Sequence, residues 1–458
     1  MAKSTTASKT SGNGRLIAIV AMCFLFAMIS FVTNLAAPIG TIWGYQYEGN
    51  SVLGMMGNMM NFLAYLFMGI PAGKLLQKIG YKKTALWAMA VGVAGLLVQW
   101  ISSLQLGGMD FNFAIYLLGA FICGFCVCML NTVVNPMLNL LGGGGNKGNQ
   151  LLQVGNSFNS LTGTLTPLFV GVLVGELSKS TTMSTVEPLL WIAIGVFVAS
   201  FIVISFVAIP EPNKSNGKKV QPKYTHSPWN FRHTVLGVIG IFIYVGIEVG
   251  IPGTLNFYLS DQGANGAGVV GAASAIAGTI VAIYWLLMLC GRLLSSVISG
   301  VVSSKTQLIV VSTTALILVI CAILIPSSVT LPVPDFIYSS VDAETGAVIT
   351  ARVPVSAYLL ILCGLCTSVM WGGIFNLAVE GLGKYTAQAS GIFMMMVVGG
   401  GIIPLVQQVI AKSAGYMASY WLIVGCLGYL LFYGLVGSRN VNTDIPVDEE
   451  EEEIANAL

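Results

Sequence analysis

The segment YVGIEVGIPG, residues 244–253, places one carboxylate, Glu248, in a run (235–259) that holds no other charged side chain. Tyr244 stands one helical turn before it and Pro252 one turn after. Proline has no N–H, so in a helix the carbonyl of residue 248 loses its usual partner, and a carboxylate and a free carbonyl come to lie at one depth. An ionised carboxylate in apolar surroundings is costly until a cation or proton reaches it, which makes it a natural binary switch. Other polar residues recur in helical register: Asn131, Asn135 and Asn139 every four residues, then Gln153, Asn156, Asn159 and Ser160 at spacings of three and four. Asn58, Asn61 and Tyr65 form a third set, Thr33 and Asn34 precede Pro38, and later stretches add Asn256, Trp285, Trp371, Asn376, Gln407 and Gln408.

An amide both donates and accepts hydrogen bonds, as a hydroxyl does, so a ring of amides with aromatic walls suits a sugar. The alternative for any one amide is that it ties neighbouring helices together. As a set, spread over four helices of one half, they read as a polar cavity. The candidate binding residues are Asn34, Asn58, Asn131, Asn135, Asn156, Asn159, Glu248, Asn256, Trp371 and Asn376. Glu248 carries two readings: a solute ligand that also couples transport to H+ or Na+, or a hydrogen-bonded acid holding helices together with Tyr244 as its partner.

The elements that position these residues follow from composition. Of 458 residues 55% are hydrophobic and 8% charged, against about 25% charged in a soluble protein. Apolar stretches long enough to cross a ~30 Å hydrocarbon core recur along the chain. They predict twelve helical spans, at 15–37, 52–72, 84–103, 111–139, 150–175, 188–209, 233–259, 268–299, 307–325, 354–379, 388–411 and 418–436. The fold class expected is an all-α membrane protein of two six-helix bundles. No small-residue cleavage site follows the first span, which is therefore expected to remain in the mature protein.

Orientation follows from the basic residues. With both termini cytoplasmic, only Lys179, Arg352 and Lys412 of the 20 Lys and Arg face outward, and Arg292 is counted with the inward majority. The expected location is a bacterial cytoplasmic (inner) membrane, with the lipid bilayer as partner. The net charge of +2 says little about partners because the basic residues set topology, and nucleic acid is not expected as one.

The Lys-, Pro- and Ser-rich segment around 210–232 divides the chain into an N-terminal bundle (1–209) and a C-terminal bundle (233–437), followed by an acidic tail (438–458). Gly73-Lys74-Leu75-Leu76 and Gly291-Arg292-Leu293-Leu294 occupy corresponding places late in the second and eighth spans, which supports two related halves with a site between them. The loop 326–354 reads as a solvated connector or a small cap. The nine cysteines all fall in apolar spans, and the CGFCVC and CGLC spacings lack nearby His or carboxylate, so they read as small packing residues. The GGGG run at 142–145 lacks the Lys-Ser/Thr ending of a phosphate loop. No nucleotide domain, nucleophile triad, metal cluster or cofactor site is legible, and enzymatic activity has no support.

Four pieces of this sequence resemble the fucose/glucose/galactose permease branch of the major facilitator superfamily. PAGKLLQKIGYKK (71–83) is similar to the superfamily's loop between helices 2 and 3, with Gln77 where an Asp is common. NTVVNPMLNLLG (131–142) with GNSFNSLTG (155–163) is the most specific match, and YVGIEVGIPGTLNFYL (244–259) and IFNLAVEGLG (374–383) with GGGI (399–402) complete it. The resemblance implies two bundles rocking around a central sugar site, a functional monomer, and drive by protons or, in some relatives, sodium. Asn34 and Asn131 stand where proton-driven relatives carry acids. Secondary import of a monosaccharide is the leading expectation; uncoupled facilitation and efflux of a non-sugar solute are the alternatives.

Overall fold

The computed structural model describes residues 12–142, 145–175, 180–207, 209, 226–270, 272–298, 302–334, 340–341, 348–349, 351–382, 385–442 and 444–447. Most of the linker, the end of the acidic tail, Glu176 and most of the loop tip at 335–350 lie outside them. Among the described residues, twelve helices are long and apolar enough to span a membrane. The first half comprises α1 (Gly12–Gln46), α2 (Ser51–Ile79), α3 (Tyr81–Ser103), α4 (Met109–Gly142), α5 (Gly145–Val174) and α6 (Glu187–Phe206). The second comprises α7 (Arg232–Ser260), α8 (Ala273–Ile298), α9 (Ser304–Leu324), α10 (Val355–Val379), the broken span α11 (Thr386–Met396) with α12 (Gly399–Ala414), and α13 (Tyr416–Phe432).

Packing divides the helices into two six-helix bundles. In the first, α4 packs on α2, α3 and α5, while α1 lies against α2 and α5; in the second, α10 packs on α7, α8 and α9, and α12 lies on α7. The halves meet along two main seams, α5 with α8 and α2 with α11 and α12. Helices 2 and 8 thus hold equivalent positions, as do helix 5 and the eleventh span, which is the arrangement two related halves produce.

Helices in lipid gain nothing from apolar contact alone, so close approach depends on small residues. A Cβ on Gly40 of α1 would overlap the Gly54 carbonyl of α2, and one on Gly399 would overlap the Phe242 carbonyl of α7. Cys123 and Cys126 fill comparable gaps beside Gly95 and Gly92, and all nine cysteines are free.

Between α9 and α10 the chain forms short antiparallel ribbons, β1 (Thr330–Pro332) with β4 (Arg352–Pro354) and β2 (Ser340–Val341) with β3 (Val348–Ile349). The Arg352 guanidinium donates to the Thr330 hydroxyl and carbonyl. The described residues of this loop thus pair as two short ribbons.

Gly40→Leu should force α1 and α2 apart and cost about 1–3 kcal/mol by overpacking. A lowered midpoint of heat-induced unfolding in detergent would show it, and an unchanged midpoint would contradict the close approach.

Candidate functional site

A cavity of about 130 Å³ lies between the bundles. From the first half it is lined by Ser30, Thr33 and Asn34 of α1, Phe62 and Tyr65 of α2, Asn131 and Asn135 of α4, and Asn156 and Asn159 of α5. From the second half come Tyr244 and Glu248 of α7, Trp285 and Arg292 of α8, Trp371 of α10 and Val397 at the break of the eleventh span. Seven of the ten candidate residues are thereby brought together: Asn34, Asn131, Asn135, Asn156, Asn159, Glu248 and Trp371.

The other three lie elsewhere, each for a stated reason. Pro404 lacks the N–H that would bond the Gly400 carbonyl, and Asn58 supplies the missing donor from α2 at 2.9 Å. Asn58 is thus a tie between the halves. Asn256 donates to the Thr41 hydroxyl at 3.0 Å, which closes the face on which α1 ends and α7 ends. Asn376 is exposed and does not line the cavity. Gln407 and Gln408 are buried inside the second bundle, where Gln408 donates to Thr254. Asn61 borders a separate small gap beside Tyr116, and the side chain of Asn139 lies outside the described residues.

The cavity amides are held by their own donors. Asn34 directs its NH2 to the carbonyl and hydroxyl of Ser30 at 2.9 and 3.1 Å. Asn131 donates to the Tyr65 hydroxyl at 2.8 Å, and Asn135 to the Asn131 carbonyl at 2.8 Å. With these N–H groups committed, Asn34 and Asn135 present carbonyl oxygens, which can accept hydrogen bonds from hydroxyl groups. Aromatic walls stand opposite: Tyr244 and Trp371 lie 6.0 Å apart, and Tyr284 meets Trp285 edge-on at 5.5 Å. An apolar enclosure with a few convergent polar groups is the general form of a small-molecule site.

Glu248 is not alone. The Arg292 guanidinium on α8 donates to its Oε1 at 3.2 Å, with side-chain exposures of 8% for Arg292 and 15% for Glu248. Counting Arg292 with the inward-facing charges is therefore wrong: it sits within the span and lines the cavity. A signal was present in the sequence, because Arg292 follows Trp285 by seven residues and so shares its helix face. The carbonyl freed by Pro252 is also satisfied, by the Tyr284 hydroxyl at 3.2 Å, which in turn pairs with Thr367.

The face opposite the termini is closed across the two halves. The Tyr45 hydroxyl donates to the Ser260 carbonyl at 2.9 Å, and the Phe257 ring packs on Gly54. At the depth of the cavity α5 and α8 meet where Trp285 lies over Gly163, and toward the terminal face Gln153 lies against Gly372 of α10.

The model of the Major Facilitator Superfamily matches residues 17–405. A "Glucose/galactose transporter" of Brucella abortus is 28% identical over 431 residues, 92% of this chain and 94% of that protein. A "Putative glucose/galactose transporter" of Helicobacter pylori is 26% identical over 447 residues, with 94% and 98% covered. The "L-fucose-proton symporter" of Escherichia coli is 23% identical over 442 residues, with 91% and 92% covered. Among solved structures, the Escherichia coli FucP transporter in an outward conformation aligns with a TM-score of 0.64 at 18% identity, over 93% of this chain and 100% of that one.

Asn58→Leu and Tyr284→Phe each leave a proline-freed carbonyl without its donor. Each should cost about 1–3 kcal/mol of stability, measured as a lower thermal midpoint, whereas Asn376→Leu, an exposed position off the cavity, should leave it unchanged.

Proposed function

This chain belongs to the major facilitator superfamily, and from that premise we propose that it imports a monosaccharide, a hexose or deoxyhexose such as glucose, galactose or fucose, by alternating access. The observation that carries this reading is the cavity between the bundles, where amides from α1, α4 and α5 face aromatic walls and one carboxylate. The printed names of the relatives support the substrate class. The opposed seams support the mechanism, since rocking about a fixed midplane site opens one face while it closes the other. The distribution of Lys and Arg supports a cytoplasmic terminal face in a bacterial inner membrane.

Import is driven by H+ or Na+ acting at Glu248, the carboxylate on the cavity. Arg292 then serves as the internal counter-ion that neutralises Glu248 while no external cation is bound. A second reading, uncoupled facilitation, is favoured by the same pair together with Asn34 and Asn131: every acid position facing the cavity is either an amide or already neutralised. Ligand binding biases the equilibrium between the two open states only through its different affinity for each.

Uptake of labelled glucose, galactose and fucose into proteoliposomes, with an imposed proton gradient, a sodium gradient or neither, separates these readings. The expected outcome is accumulation above equilibrium under one gradient, falling to the equilibrated level in Glu248→Gln. Equilibration indifferent to either gradient would assign facilitation. Absence of uptake for every sugar would overturn the monosaccharide reading.

A further inference from the structure

We infer that Arg292 is the latch of the α5–α8 seam, holding the terminal face closed and releasing when Glu248 is engaged by a solute or cation in the cavity. The inference rests on the cavity being a carrier's translocation site, and it adds a gating role to the counter-ion role of Arg292. The Arg292 Nη1 donates to the Asn156 carbonyl at 2.8 Å and to the Ser160 hydroxyl at 2.7 Å, both on α5 of the opposite half. Its Nη2 donates to Glu248 on α7 of its own half. Two of the three acceptors of this buried cation therefore exist only while the halves touch.

Opening the seam strips a guanidinium in low dielectric of those two partners, which is unfavourable until water or another group replaces them. The planar fork of arginine suits the task, because acceptors in different directions are met at once by a rigid group. Glu248 is the point at which the cavity reaches the latch. A solute hydroxyl donating to its carboxylate competes with Nη2, and a bound cation removes the charge that anchors the guanidinium. In either case Arg292 loses its third acceptor and its hold on α5 weakens.

The test needs no knowledge of the solute, so its failure is distinct from failure of the monosaccharide reading. Cys290 and Cys321, the two exposed cysteines, are replaced by serine. One reporter cysteine is then introduced by Gln153→Cys at the α5–α10 contact near the seam, or by Thr41→Cys on the closed opposite face. Rates of labelling by a water-soluble maleimide are measured in detergent micelles, where both faces are accessible.

Ser160→Ala removes one acceptor with little other change and is the milder variant; Arg292→Gln and Glu248→Gln are stronger. Each should speed labelling at position 153, by about tenfold for loss of one hydrogen bond to a charged group, and slow labelling at position 41. Arg292→Lys should fall between the parent and Arg292→Gln. Unchanged rates at 153 in both Ser160→Ala and Arg292→Gln would overturn the latch. So would faster labelling at both positions, which marks general loosening rather than a shift between states.

Discussion

A guanidinium and a carboxylate buried together among apolar helices set the terms for the centre of this molecule. Removing each ion from water costs several kcal/mol, and their attraction offsets that only with good geometry and further hydrogen bonds. Here the further bonds come from two helices, α5 and α8. Arg292 takes acceptors from α5, Glu248 faces the cavity beside Tyr244, and the carbonyl of the same residue is met by Tyr284. The closeness of α5 to α8, which brings Trp285 over Gly163, is the geometry this pair requires.

Two prolines interrupt the backbone hydrogen bonding of the second half. Pro252 frees the Glu248 carbonyl and Pro404 frees the Gly400 carbonyl, and each is answered by a side chain from a neighbouring helix. In lipid a free carbonyl has no water to turn to, so these partners are part of what makes the prolines tolerable. The eleventh span goes further and breaks between Met396 and Gly399, placing Val397 at the cavity wall.

Much of the architecture was legible because lipid imposes strong rules. Each span must be apolar for about twenty residues, and twelve such stretches in the sequence correspond to twelve helices, with the eleventh broken near its glycines. The amides of α4 and α5 were legible by register, since residues three and four apart share a helix face. Asn58, Asn256 and Asn376 show the limit of that argument. Register says which face an amide occupies, but not which helix lies opposite, and Asn58 meets a backbone carbonyl 342 residues away. Arg292 was hidden by a different rule: near a predicted span end, a basic residue reads as a topological marker. Its partner Glu248 lies 44 positions earlier on another helix, a pairing that local sequence cannot display.

The charges at the centre also have an electrical meaning. Moving one elementary charge through the full membrane potential is worth about 2.3 kcal/mol per 100 mV. Because Glu248 and Arg292 neutralise one another and the first half contributes only uncharged side chains to the cavity, the unloaded site carries no net charge. In the mechanism proposed above, voltage would then have no grip on the return of the empty protein, and any work the potential performs would enter with a cation on the loaded stroke.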